Sequence, residues 1–264
     1  MKLNNRDRAR VNITILLISA IMWVVLLFNP GGMALAHCPV SDSGASLASF
    51  QMMLAMNPPS SLMAGWFLML AAMMLPTLIT PVRHVMERSF KRRRARSVAL
   101  FLIGYAVIWM AAGAVLLAVV LMLNLLTPQS YLPAIGVGII ALVWQCSPIK
   151  QRCINRGHNH SELAAFGIAA DLDVLRFGIM HGVWCVGSCW ALMLFPMLLS
   201  QWHFAAMGAV TYLMISERLE QPRPLSWRLH FPGKLMRILF AQTRIRLKDL
   251  LPGSKPSPSV GIGG

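Results

Sequence analysis

Apolar residues in this chain gather into long runs separated by short polar stretches, a pattern that predicts membrane-spanning helices. At 1.5 Å per residue, about 20 apolar residues cross the roughly 30 Å of hydrocarbon in a bilayer. Six segments read as spans, at about 11–28, 61–80, 97–126, 131–146, 177–199 and 202–215. The third is long enough to tilt or to extend past the bilayer, and the fourth is short. The turn SQWH joins the fifth and sixth into a helical hairpin. The expected fold is all-α, a polytopic transmembrane helix bundle over residues 1–217 followed by a tail over 218–264.

Composition agrees, since 56% of the 264 residues are hydrophobic and 12% are charged, about half the charged share of a typical soluble domain. The charges then give an orientation, because cytoplasmic loops hold the Lys and Arg. Four lie in the N-terminal tail, seven in 83–96, four in 147–176 and nine after Ile215, which accounts for all 24. None is left for 29–60, 127–130 or 200–201. Both termini are therefore expected in the cytoplasm, in a multi-pass protein of a bacterial-type inner (plasma) membrane. The net charge of +15 is spread over four segments flanking apolar spans, which argues against a nucleic-acid surface.

At the N-terminus, a basic start, an apolar run and Ala34-Leu35-Ala36 before His37 have the layout of a secretory signal. The run is about 18 residues, longer than a usual signal core, so an uncleaved anchor is expected. The segment ASFQMMLAMN before Pro58 reads as a short amphipathic helix. In the tail, a helix is expected at about 234–251, with Lys234, Arg237, Arg244 and Lys248 on one face beside Leu235, Ile238, Leu239 and Ile245. That pattern suits a basic helix on the anionic lipids of the inner leaflet, or a solvated tail. The end, PGSKPSPSVGIGG, is expected to be disordered.

Polar side chains in spans are costly and usually face the bundle interior. His181, Cys185 and Cys189, in GIMHGVWCVGSCWALM, stand out in the fifth span, and Met193 continues the line. Four-residue spacing turns a helix by about 400°, so these residues stack into one slowly drifting stripe. Such a stripe is either a bundle seam of small, soft side chains or one wall of a soft-metal site. If the span enters the membrane near Phe177, His181, Cys185 and Cys189 lie about 6, 12 and 18 Å deep. Met73 and Met74 of the oppositely directed second span lie about 9–11 Å deep and Met69 about 17 Å. Thiolate, thioether and imidazole together suit Cu(I); the Cys/His part also suits zinc, but a thioether is a poor zinc ligand. A disulfide between Cys185 and Cys189 is disfavoured, because helical i, i+4 Cβ atoms lie about 6 Å apart.

Two weaker clusters accompany the stripe. Cys146, Cys153, His158 and His160 fall at the cytoplasmic face in a spacing that matches no compact zinc ribbon or finger, and read at most as a transfer site. His37 and Cys38 lie outside with Met52, Met53 and Met56, in a loop free of Lys and Arg. No Gly-rich phosphate loop or Ser/His/Asp set is present, which points away from an enzyme. Asp171, Asp173 and Glu217 are expected to pair with Arg176 or Arg218.

Three motifs, MLAAMMLP, WQCSPIKQRC and HGVWCVGSCWALM, fall in order over about residues 60–218. Together they resemble the integral membrane family DUF2182, for which metal binding is predicted and some members of which are described as copper chaperones for cuproenzymes such as tyrosinase-like oxidases. The resemblance implies a Cu(I)-holding protein with a recipient cuproenzyme. The family often has C-x-G-C-C-W where this chain has Ser188 in place of a cysteine, which would leave two thiolates plus His181 or Met. On this reading Cu(I) sits between the second and fifth spans, and Pro76 kinks the second. Rival readings are a transporter for a metal ion or small substrate, a non-catalytic scaffold acting through the basic tail, and, more distantly, a haem or quinone subunit. An oligomer that builds the site across an interface is left open.

Overall fold

Each of the six apolar segments is helical in the computed structural model, which describes residues 4–28, 58–127, 130–159, 163–164, 167–199 and 201–220, with isolated positions in 51–55 and 222–244. The helices are α1 (Asn5–Phe28), α2 (Pro59–Met74), α3 (Ile79–Arg88), α4 (Arg94–Leu126), α5 (Leu132–Cys146), α6 (Pro148–His158), α7 (Gly167–Met197) and α8 (His203–Arg218). Prolines sit in the first turns of α2, α5 and α6, where the missing N–H costs nothing. Ser147 caps α6 by accepting from the N–H of Ile149.

Pro76 interrupts the second apolar segment as expected. A 3-10 turn, Leu75–Leu78, separates α2 from α3, and Thr77 Oγ1 donates to the Met74 carbonyl at 2.7 Å. α7 begins ten residues before the expected boundary at 177. The charges in AADLDVLR end the apolar run there, although helical geometry continues through them. Four stretches are long and apolar enough to cross a membrane, and a fifth if α5 and α6, bent by 62°, count as one. α8 has 16 residues and so rises only about 24 Å. The Ala34-Leu35-Ala36 layout and most of the helices expected at 48–57 and 234–251 lie outside the described residues; positions 51–52, 55, 237–238 and 240–244 are helical.

α7 is the centre of the bundle, with α4, α5, α6 and α8 packed around it. The α4–α7 contact is the most extensive, and glycines make it so. A Cβ on Gly178 would stand 3.0 Å from the carbonyl carbon of Phe101, one on Gly104 2.7 Å from the Leu175 oxygen, and one on Gly182 3.0 Å from Ile108 Cβ. Without those Cβ atoms the two backbones touch, the small-residue approach that dispersion rewards in helix bundles. Gly178→Ala is expected to destabilise the protein by about 1–3 kcal/mol, read as a lower melting temperature in detergent. An unchanged melt would mean that the seam is looser than drawn.

On the other side, α2 packs on α1 and α4. Trp66 donates from Nε1 to the Trp109 carbonyl at 3.0 Å, and Ser19 donates to the Ala72 carbonyl at 2.7 Å. The outward faces of α1, α4 and α5 carry exposed Ile, Leu and Val, among them Leu17, Ile21, Val107, Val115, Ile139 and Leu142.

The acidic residues pair between helices, which corrects the expected partners Arg176 and Arg218. Asp171 binds Arg93 at 2.6 Å and Arg96 at 2.7 Å, tying the start of α4 to α7. Glu217 binds Lys150 at 2.8 Å, and Asp173 accepts from the N–H of Ala164. Arg176 follows Asp171 by five residues, about 140° away around the helix, so its side chain leaves on another face.

Candidate metal centre

His181, Cys185, Cys189 and Met193 are all buried, so the i, i+4 stripe of α7 faces the bundle. Cys185 and Cys189 are free thiols, one helical turn apart and close enough to act on one another electrostatically. The Tyr105 hydroxyl on α4 meets Cys185 Sγ at 3.4 Å, a contact the glycine seam makes short. Ser188 donates from Oγ to the Cys185 carbonyl at 2.9 Å and lies 3.3 Å from Cys189 Sγ. Either atom can be the donor in the second contact. Arg218, the last residue of α8, lies close enough for its charge to act on Cys185 and Cys189.

Chemically, this is a pair of soft donors one helical turn apart in a buried place. Two metal–sulfur bonds of about 2.3 Å would set the sulfurs of a linear unit about 4.6 Å apart, within reach of side chains whose Cβ atoms lie about 5–6 Å apart at i, i+4. Among the described residues no three His, Cys, Asp or Glu side chains converge on one point. The pair therefore suits an ion content with few ligands better than one that demands four.

The other candidate residues are placed as follows. The His181 ring packs among Phe101, Tyr105 and Phe177, with centroids 5.9–6.0 Å away. It also lines a cavity of about 540 Å³ with Arg156, Asp173, Arg176, Phe177 and Trp184, whose mouth carries the Arg156 guanidinium 4.9 Å over the Trp184 ring. His181 is thus one helical turn from Cys185, between the thiols and a polar opening. Met69, Met73 and Met74 are buried in the same core cluster. Their helix α2 has α1, α4 and α8 as its main helix neighbours, and α7 is not among them.

The cytoplasmic-face cluster separates. Cys153 is buried with its Sγ 2.8 Å from where a Cβ of Gly187 would stand. Gly187 follows Cys185 by about 200° around the helix, so Cys153 packs on another face from the thiol pair. Burial pushes the Cys153 thiol up, against the pull of the Arg218, Arg152 and Arg156 charges. His158 has Nδ1 2.8 Å from the Ile154 carbonyl and Nε2 3.1 Å from the Arg218 carbonyl. A ring nitrogen that donates to a carbonyl has no lone pair for a metal. Cys146 ends α5, partly exposed. His160, His37, Cys38, Met53 and Met56 lie outside the described residues, and Met52 is exposed.

Sequence reasoning did not single out Tyr105 or Lys150, and it named Arg218 and Glu217 only as ion-pair partners. Lys150 is 1% exposed. It pairs with Glu217 and hydrogen-bonds Gln145, which also donates to Glu217. A phenol in the middle of the third span and a Glu-Arg pair closing the sixth were the available signals.

Fold and site together define an all-helical bundle built to keep a pair of soft sulfur donors away from water. The copper chaperone family PpoB2 matches the chain over residues 63–231. That is more than half of its length and includes every helix around the thiols, and the chain belongs to this family. No curated protein and no solved structure matches it.

Proposed function

We propose that this protein is a multi-pass inner-membrane copper chaperone that holds Cu(I) between Cys185 and Cys189 and passes it outward to a recipient cuproenzyme. The observation that carries the reading is the buried pair of free thiols one helical turn apart at the centre of a copper chaperone bundle. Binding Cu(I) displaces both thiol protons and forms two copper–sulfur bonds, with no change in oxidation state. Six crossings with both termini cytoplasmic account for the distribution of Lys and Arg. The exposed aliphatic faces of α1, α4 and α5 suit contact with lipid tails. His181 would stand as the donor nearest the polar cavity, and Met69, Met73 and Met74 as thioethers further into the core. The resemblance to DUF2182 supports a cuproenzyme recipient. The basic tail, with its expected helix at 234–251, would rest on anionic inner-leaflet lipids.

The test is the metal content, by mass spectrometry, of protein purified in detergent after growth in copper, beside the Cys185→Ser, Cys189→Ser double variant. Near-stoichiometric copper that is lost in the variant supports the proposal. Metal-free wild type, or copper retained by the variant, overturns it.

A further inference from the structure

Arg218 occupies an unusual position for a charged side chain at a helix end. Its guanidinium passes close over Gly157 of α6, with Cζ 3.5 Å and Nη2 3.8 Å from where a Cβ would stand. Nη2 is buried and makes no conventional hydrogen bond. Cys185, Cys189 and Tyr105 act on the guanidinium, and its charge also reaches Cys153. The neighbouring buried cation, Lys150, also reaches Cys189 but is paired with Glu217 at 2.8 Å. Lys150 and Glu217 together carry no net charge, which leaves Arg218 as the uncompensated cation nearest Cys185.

We propose that Arg218 is the charge partner of the metal-loaded thiol pair and makes the site selective for a soft monovalent cation. The inference rests on the reading of Cys185 and Cys189 as the copper ligands. Two thiolates and one Cu(I) carry a net charge of minus one, which the guanidinium brings to zero. A divalent ion on the same two thiolates is neutral already, and the guanidinium then leaves a positive charge in a place of low dielectric. Net charge is costly in such surroundings and a compensated one is not. Selectivity for Cu(I) over Zn(II) therefore follows from charge count as well as from ligand softness. Arg218 need not touch the metal; it acts through the thiolates and is a positioning residue.

The experiment uses the full chain in detergent and compares wild type, Arg218→Gln and Arg218→Lys, with the Cys185→Ser, Cys189→Ser variant as reference. Cu(I) affinity is measured by competition with a coloured Cu(I) chelator, and Zn(II) affinity in parallel. Removing an outer partner of a metal ligand typically costs about 10- to 100-fold in metal affinity, so Arg218→Gln should weaken Cu(I) by that factor. Zn(II) should be unchanged or tighter, and Arg218→Lys should keep most of the Cu(I) preference. A second measurement needs no variant. Ag(I), soft and monovalent, should displace Cu(I) from the wild type far more readily than Cd(II), which is soft and divalent. An Arg218→Gln protein with wild-type affinity and preference, or Cd(II) competing as well as Ag(I), overturns the inference while the thiol site stands. Wild type that binds no Cu(I), or binds it equally without the cysteines, overturns the thiol site itself.

Discussion

Replacing Cys185 alone with serine is expected to remove nearly as much Cu(I) affinity as replacing both cysteines. A linear two-sulfur unit loses half its bonds when one sulfur goes, and among the described residues no third metal-ligating side chain converges on the remaining thiolate. Cys153, the nearest alternative by sequence, packs against Gly187 on a different face of α7. Removing a partner that only touches a ligand already costs 10- to 100-fold in metal affinity, so loss of a ligand should exceed about 100-fold. Cys189→Ser should behave likewise, whereas Cys153→Ser should leave affinity within a few-fold of wild type. Chelator competition on the three single variants distinguishes these outcomes. A large loss in Cys153→Ser with little loss in Cys189→Ser would relocate the second sulfur.

The largest effect on stability is expected from Lys150→Met. Its side chain is 2% exposed and its ammonium sits 2.8 Å from Glu217, whose side chain is 12% exposed. Taking away one member of a buried pair leaves the other as an uncompensated charge, at a cost of about 3–5 kcal/mol. For a protein of this size that is a melting temperature lower by roughly 10 °C. Adding Glu217→Gln to Lys150→Met should recover most of the loss, because the stranded charge is gone. The single variant melting with wild type, or the double variant melting below the single, would show that the pair does not hold α6 to α8.

The helices and the stripe were legible in the sequence because both depend on spacing along one element. Apolar runs set helix positions to within a few residues, except where Asp171, Asp173 and Arg176 ended the run and hid the first three turns of α7. Four-residue spacing placed His181, Cys185 and Cys189 on one buried face. Arrangement between helices was much less legible. Matching depths put Met73 and Met74 level with the cysteines, but depth fixes height and says nothing of direction around the bundle. In the fold α2 adjoins α4 and α1, while α4 is the helix that lies along α7. For the same reason Tyr105 and Arg218, contributed by α4 and α8, carry no local mark of their position. The charge pairs were misassigned because partners were sought nearby in sequence, and Arg93, Arg96 and Lys150 approach from other helices.

The glycine contact between α4 and α7 bears on how a cargo gets in and out. Where backbones meet without side chains between them, no rotamer change can widen the gap, and the Tyr105 side of the thiols is a fixed wall. The His181 ring packs on that wall, whereas the long arm of Arg218 and the Arg156 that lies over Trp184 are side chains that swing. On the proposed reading traffic would pass on the side of these two arms, and a hinge that serves it would belong among α6, α8 and the first turns of α7. A cross-link joining α4 to α7 should leave exchange of metal untouched, while one joining α6 to α7 should trap whatever is inside.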